Sequence, residues 1–240
     1  MNDNEILIED IKTAFGYVTV CGPRWQLHGG TAPDGRTFNQ GWKQVIGRLL
    51  YEPFATDIID KLSFSTFLDV GAAFGYYSHY VKGRYPDVEV VAVECDHLRF
   101  GCLLRTSNGS FACRHLAIGT TAPELTSPGN LVSSHVRGDQ PLLYCPLATL
   151  ESLINHQYPP DRKTLVKLDI EGTEFEALLN SPKLAEHSNI SWIIEAHRWK
   201  DEPQKLIDLF VLAGHKIHII DFDINLTTLT FCATHQQLPI

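Results

Sequence analysis

The clearest chemical signal in the sequence is an acidic residue followed by a glycine-rich turn. Asp69 closes a short apolar run, and Gly71, Ala72 and Gly75 follow it before a segment with helical spacing. Glycine lets the backbone adopt φ above zero and approach a ligand closely, while the first amides of a helix can donate hydrogen bonds. The pattern predicts a site for a ligand with a polar tail, in which Asp69 receives an ammonium group. A glycine between a strand and a helix is also often only structural.

A second carboxylate follows the next apolar run. Glu94 ends the run 89–93, one strand and one helix after Asp69. In nucleotide-binding α/β folds an acid at this place accepts hydrogen bonds from ribose hydroxyls, because ligands lie at the carboxyl ends of the strands. We therefore expect Glu94 to bind a ribose. The same two acids would also fit a dinucleotide-binding oxidoreductase. However, the turn lacks the G-x-G-x-x-G spacing that lets a pyrophosphate pack on the helix.

The elements that position these acids alternate from residue 65 onward. The predicted strands are 66–70, 89–93, 111–118, 164–170, 192–196, 215–220 and 228–233, and the predicted helices include 74–84, 98–106 and 206–213. Apolar runs separated by helical segments are typical of parallel strands with crossover helices. The order predicts a doubly wound α/β fold with a mostly parallel seven-stranded sheet and an antiparallel C-terminal hairpin.

The remaining segments are expected to lie around this domain, which we place at 63–240. Residues 1–62 are predicted to form a loop or lid, rich in turn formers up to residue 35, followed by helices for substrate or homodimer contacts. An insert at about 121–160 precedes the fourth strand. Inserts longer than a plain connection are typical of substrate-facing loops.

Composition narrows the class of partner. The 240 residues are 44% hydrophobic with a formal net charge of −8. Nucleic-acid binding draws on clustered Lys and Arg, so the acidic balance favours a small molecule or a glycan instead.

The absence of an 18-residue apolar run and of a signal-peptide pattern leads us to expect a cytoplasmic protein with no membrane span. The six cysteines form no C-x-x-C pair, so neither a zinc ribbon nor a disulfide scaffold is indicated.

Five segments, taken in order, resemble the FkbM family of S-adenosylmethionine-dependent methyltransferases. They are Leu68–Ser78, Ala117–Gly119, Ser133–Ser134, Leu165–Glu174 and Ile194–His197. The resemblance covers about residues 50–200 and implies a Rossmann-like methyltransferase fold, S-adenosylmethionine as cofactor, and O-methylation of a hydroxyl on a sugar or other natural product. The sequence departs from the family at Ala73, where the turn commonly has Asn.

Carried over by position, the resemblance implies a cofactor site and an acceptor side. The cofactor site would contain Asp69, Gly71, Ala72, Gly75, Tyr76, Glu94, Cys95, Ala117 and Asp169. The acceptor would be bound by Glu171, Ser134 and Trp199. In this arrangement the glycines would leave room for the methionine and ribose portions of the cofactor.

Methyl transfer to a weakly acidic hydroxyl is helped by a base. His197 is the first candidate, followed by Asp169, Glu195 and His135 on the insert. His197 could instead make only a structural hydrogen bond. Asp169, Glu195 and His197 could also converge on a divalent ion such as Mg²⁺, or the acids could accept substrate hydroxyls or pair with Lys167. A noncatalytic scaffold with the same fold is a further alternative.

Overall fold

The computed structural model describes residues 5–32, 37–38, 40–49, 51–119, 131–133, 144–157, 161–197, 203–223 and 228–238. Three predicted site residues, Ser134, His135 and Trp199, lie outside these ranges, as does most of the insert. Within the described ranges, no helix has both the length and the apolar character needed to span a membrane.

The N-terminal part contains a β-hairpin that the sequence pattern did not predict. In chain order its elements are β1 (Ile6–Thr13), β2 (Gly16–Pro23), α1 (Arg24–His28), β3 (Gly30–Thr31), β4 (Thr37–Phe38), α2 (Trp42–Gly47) and α3 (Pro53–Lys61). The antiparallel β1–β2 pair and α1 correct the expectation of a loop or lid before the helices. Helices α2 and α3 agree with the predicted helical spacing, and Pro53 occupies the first turn of α3.

From Thr66 onward strands and helices alternate as predicted. The elements are β5 (Thr66–Val70), α4 (Tyr76–Arg84), β6 (Glu89–Glu94), α5 (His97–Ser107), β7 (Ala112–His115), β8 (Ala117–Ile118), β9 (Leu131–Ser133), β10 (Tyr144–Ala148), α6 (Leu150–Gln157), β11 (Thr164–Leu168), α7 (Glu174–Leu179), a 3₁₀ turn (Pro182–Glu186), β12 (Ile190–His197), α8 (Pro203–Leu212), β13 (Lys216–Asp223) and β14 (Thr228–Thr234).

Seven of these strands form one sheet in the order β7-β6-β5-β11-β12-β14-β13. The first five are parallel, and β14 runs antiparallel to both of its neighbours. This confirms the predicted Rossmann-like methyltransferase fold with its antiparallel terminal hairpin. The predicted strand 111–118 is wrong in its second half, because Ala117–Ile118 pairs with β10 in a separate three-stranded sheet.

Both faces of the large sheet are covered. Phe67 belongs to the core that α3, α4 and α5 share, whereas Leu68 and Val70 belong to the core under α6, α7 and α8. Burial on both faces explains why these strands appear in the sequence as continuous apolar runs. A charged side chain inside such a strand is expensive unless it is paired, so Asp69 and Lys167 require partners.

The N-terminal hairpin packs on α5. The amide of Thr19 donates to Oγ1 of Thr106 at 2.9 Å across a sequence separation of 87 residues, and Val18 and Val20 are fully buried. Local spacing cannot reveal a contact of this range. The hairpin therefore belongs to the folded body rather than to a lid.

Candidate active site

The turn between β5 and α4 requires glycine at both ends. Gly71 and Gly75 have φ of 84° and 79°. A Cβ on Gly71 would lie 1.6 Å from the carbonyl oxygen of Asp169, and one on Gly75 would lie 2.5 Å from Cδ1 of Leu103. Protein atoms therefore fill the space that the sequence-based interpretation reserved for a ligand. The two glycines let the turn pack against the segment after β11 and against α5.

Ala73 carries backbone strain within this turn. Its φ of 48° lies in the left-handed region, which costs a residue with a Cβ about 1–2 kcal/mol. Asn tolerates this region better than Ala, which gives a physical reason for Asn at this position in the resembling family.

Relief of this strain is measurable. We expect Ala73→Gly to raise the free energy of unfolding in urea by about 1 kcal/mol, because glycine adopts this φ without a steric penalty. Ala72→Gly is the matched control, since Ala72 is buried and is not among the residues with positive φ. It should lower the free energy of unfolding. Destabilisation of equal size by both substitutions would contradict the proposed strain.

Glu94 holds the turn from the end of β6. Its buried carboxylate accepts hydrogen bonds from the amides of Ala73 at 2.8 Å and Asp96 at 2.6 Å. Burial raises the pKa of Glu94, and the two amides and the charge of Arg99 oppose that shift. A carboxylate oxygen can accept two hydrogen bonds, so the carboxylate retains capacity for a hydroxyl.

Other predicted cofactor residues lie around the same turn. Tyr76 begins α4 and is buried, and its hydroxyl has no hydrogen-bond partner among the described residues. Cys95 follows Glu94 with an exposed side chain, and its carbonyl lies 3.0 Å from Nε2 of His115. Ala117, which lies two residues after His115, is buried at the start of β8.

Asp69 lies beneath the turn, with only 1% of its surface exposed. One oxygen accepts hydrogen bonds from the amide and the hydroxyl of Ser78, at 3.1 and 2.7 Å. The other oxygen, Oδ1, has no partner within the described part of the chain. Burial raises the pKa of Asp69, and the charge of Lys167 opposes the shift. Asp69 therefore contributes a buried acceptor that a positively charged donor could satisfy.

Lys167 links Asp69 to the neighbouring strand end. It pairs with Asp69 in the register of β5 and β11, and its buried ammonium donates to Oδ2 of Asp169 at 2.8 Å. The same ammonium lies 4.7 Å from the centre of the Tyr77 ring, and Tyr77 donates its hydroxyl to Glu52. Burial alone would lower the pKa of Lys167, but Asp169 and Glu52 hold it well above its usual range. The sequence pattern did not identify Glu52 or Tyr77.

His197, at the end of β12, is oriented by Glu174. The fully buried carboxylate of Glu174 accepts hydrogen bonds from the amides of Ile170 at 2.9 Å and Gly172 at 3.1 Å. It also lies 3.0 Å from Nδ1 of His197. Because an ionised carboxylate can only accept, Nδ1 of His197 is the donor, and Nε2 of the same ring points away from Glu174. Glu174 belongs to the motif that carried the resemblance but received no predicted role.

Nε2 of His197 faces three carboxylates. It lies 3.7 Å from Oε1 of Glu195, 3.7 Å from Oε2 of Glu171 and 4.0 Å from Oδ1 of Asp169. The predicted catalytic residues that the structure describes are therefore brought together. Glu171 lies at the rim with its side chain 70% exposed, 4.0 Å from Arg99.

The surrounding charges shift the two titratable groups at the end of β12. Burial alone would lower the pKa of His197, but the hydrogen bond to Glu174 and the charges of Glu174, Asp169 and Glu195 raise it to about 9. Burial and the charges of Asp169 and Glu52 raise the pKa of Glu195 to about 8, although the charges of Lys167 and His197 act to lower it. At neutral pH His197 is therefore protonated and must lose its proton before it can act as a base.

The same cluster contains the three candidate metal ligands. Asp169, Glu195 and His197 each place one donor atom within 4.8 Å of the others. However, Lys167 already binds Asp169 at 2.8 Å, so a divalent ion held by this carboxylate would face a buried ammonium. Mg²⁺ also prefers an all-oxygen shell, and one of the three donors is an imidazole. These two features argue against Mg²⁺ at these three atoms.

The sheet order, with β14 antiparallel between β12 and β13, is that of a doubly wound Rossmann-like α/β fold. No protein-family model matches the chain, and no curated protein matches it, so membership of the FkbM family is not confirmed.

Solved structures with a similar fold include three methyltransferases. The N-terminal domain of human METTL16 in complex with S-adenosylhomocysteine is 12% identical, with 88% of this chain and 89% of that chain covered and a TM-score of 0.48. A precorrin-6y C5,15-methyltransferase from Geobacter metallireducens is 11% identical, with 76% and 87% covered and a TM-score of 0.44. TrmK of M. capricolum with S-adenosylhomocysteine is 12% identical, with 80% and 71% covered and a TM-score of 0.44. Likeness of this degree concerns the fold and assigns no residue role to this chain.

Proposed function

We propose that this chain is an S-adenosylmethionine-dependent methyltransferase of the FkbM type that methylates a hydroxyl on a sugar or another small natural product. The observation that carries the proposal is the direct contact between the turn after β5 and the segment after β11. Gly71 packs on the carbonyl of Asp169. This contact brings the part of the sheet edge that carries Asp69 and Glu94 next to the His197 cluster, which consists of His197 and the three carboxylates that face its Nε2. A cofactor site and a base would therefore be neighbours.

The residues present fit this cofactor. Its ammonium group matches the buried Oδ1 of Asp69, and its ribose hydroxyls match the remaining capacity of Glu94. When bound, S-adenosylmethionine supplies a methyl group on a positively charged sulfur. A dinucleotide fits less well, because the turn lacks the required glycine spacing and Gly71 is in contact with protein backbone.

His197 provides the proton acceptor in this proposal. Neutral His197 would take the proton of the acceptor hydroxyl on Nε2, and the imidazole would then carry a positive charge. Glu174 keeps Nδ1 as the donor and stabilises the imidazolium that forms.

The cofactor site can be tested by binding. We expect Glu94→Gln to weaken S-adenosylhomocysteine binding in calorimetry about tenfold or more, equivalent to about 1.4 kcal/mol, because Gln replaces one accepting oxygen by a donor. Glu89→Gln is the matched control at the opposite, solvent-exposed end of β6, and it should leave the affinity unchanged. Equal affinity of both variants and the wild type would remove Glu94 from the site.

A further inference from the structure

A cleft opens beside Glu195 at the same edge of the sheet. Its lining residues are Glu52, Phe54, Ala55, Glu195, Ile220, Asp221, Thr228 and Thr230. Glu195 also belongs to the His197 cluster, so one wall of the cleft is continuous with the proposed site of methyl transfer.

The register of the antiparallel strands explains the polar wall of this cleft. Thr230 of β14 pairs with Glu195 of β12 on one side and with Asp221 of β13 on the other. Residues paired across neighbouring strands project to one face with Cβ atoms about 5 Å apart. Thr228 is two residues from Thr230 on the same strand and shares its face. The row therefore presents two carboxylates with hydroxyls between and beside them.

The opposite wall combines a third carboxylate with an aromatic ring. Glu52 precedes α3 and accepts the hydroxyl of Tyr77, and Phe54 in the first turn of α3 is 61% exposed. None of the described residues lining the cleft is Lys or Arg. The two walls together bring the carboxyl groups of Glu52, Glu195 and Asp221 to one cleft. A positively charged ligand would be attracted to this set of acids.

We propose that this cleft binds the methyl acceptor and that the acceptor is a polyhydroxylated amine, such as an amino sugar. Its ammonium group lies among Glu52, Glu195 and Asp221, its hydroxyls meet the two threonines, and the apolar face of its ring packs on Phe54. Aromatic rings also attract cations at close range. The inference rests on the proposed function, because it places the acceptor beside His197.

An organic cation suits this cleft better than a metal ion. Three carboxylates spread over two walls of an open cleft can contact an extended ligand, whereas a divalent ion needs its ligands within one small coordination shell. The exposed ring of Phe54 offers no ligand to a metal, but it and the threonine hydroxyls both suit a sugar. They match the hydroxyl groups and the apolar face of a sugar ring.

The test compares two probes that differ in charge. Protein saturated with S-adenosylhomocysteine is titrated with methyl 2-amino-2-deoxyglucoside and with its N-acetyl counterpart, and binding is followed by NMR. We expect the amine to bind about tenfold more tightly or better, and we expect Glu52→Gln and Asp221→Asn each to weaken it about fivefold. Asp57→Asn, an exposed carboxylate on α3 outside the cleft, is the charge-matched control and should change nothing.

The outcomes separate this inference from the proposed function. Binding of S-adenosylhomocysteine together with equal affinity for the two sugars, or with no effect of the cleft variants, overturns the inference alone. Displacement of the amine by Mg²⁺ in the wild type, with Mg²⁺ binding lost in Asp221→Asn, also overturns it, since the cleft would then be a metal site. Failure to bind S-adenosylhomocysteine refutes the proposed function and with it the acceptor role of the cleft.

Discussion

His197→Gln should lower the rate of methyl transfer about 100-fold or more and leave the affinity for S-adenosylhomocysteine nearly unchanged. Glutamine keeps a polar side chain near Glu174 but cannot take a proton at the position of Nε2. The measurement is turnover at saturating acceptor, followed as S-adenosylhomocysteine formation, with calorimetry on the same preparation. His187→Gln, which follows the 3₁₀ turn before β12, is the control and should retain wild-type turnover.

The pH dependence of turnover distinguishes a base from a structural histidine. The groups facing His197 are Glu195 on its own strand, Asp169 and Glu171 in the turn after β11, and Glu174 on α7, with Lys167 and Glu52 acting through Asp169 and Glu195. The carboxylates raise the pKa of His197 to about 9, so the neutral form that accepts a proton increases with pH through that value. We expect kcat to rise with pH towards this value in the wild type and to lose that rise in His197→Gln. A wild-type kcat that is level from about pH 7 to 9 would assign His197 a structural role.

Gly71→Ala should have the largest effect on stability. The added Cβ would overlap the backbone of Asp169 at 1.6 Å, and alanine would also have to adopt a φ of 84°. We expect the free energy of unfolding in urea to fall by about 3 kcal/mol or more, because backbone atoms cannot move aside as a flexible side chain can.

Gly101→Ala is the matched control for this substitution. Gly101 lies within α5, and a Cβ there meets no atom within 4 Å. The control should therefore be neutral or raise the free energy of unfolding by up to about 1 kcal/mol, since alanine favours helix. If Gly71→Ala were as stable as the wild type, the contact between the turn and the segment after β11 would be wrong. The juxtaposition that carries the proposed function would be lost with it.

The central strands could be predicted because each is buried on both faces. Residues 66–70 and 164–168 are buried throughout and mostly apolar, so their boundaries are visible without knowledge of their neighbours. Parallel strands end at one edge of a sheet, and this rule alone places Asp69, Glu94, Asp169 and His197 on the same side. The position of the site therefore follows from strand order.

The contacts within the site depend on the tertiary structure and were not predictable. Glu52 precedes α3, and only the packing of that helix on the sheet edge brings its carboxylate to Tyr77. Glu174 lies within an acid-rich turn, but its role depends on the length of β12, which brings His197 to it. The packing of the hairpin β1–β2 on α5 and the pairing of Ala117–Ile118 with β10 likewise rest on partners far away in sequence.

The glycines illustrate a different limit. Their types and spacing correctly indicated a tight turn with positive φ, which is a local property of the backbone. Which atoms lie against them is a property of the whole fold. The structure places the Asp169 carbonyl and the Leu103 side chain there, where a ligand was expected.

Calorimetric titration of the purified wild-type protein with S-adenosylhomocysteine, beside an identical titration with NAD, decides whether this chain has the proposed cofactor site. We expect saturable binding of S-adenosylhomocysteine at one site, about micromolar in affinity, and no heat from NAD. Binding of NAD alone would contradict the proposal in favour of an oxidoreductase, and binding of neither ligand would contradict it in favour of a scaffold that keeps the fold without the cofactor.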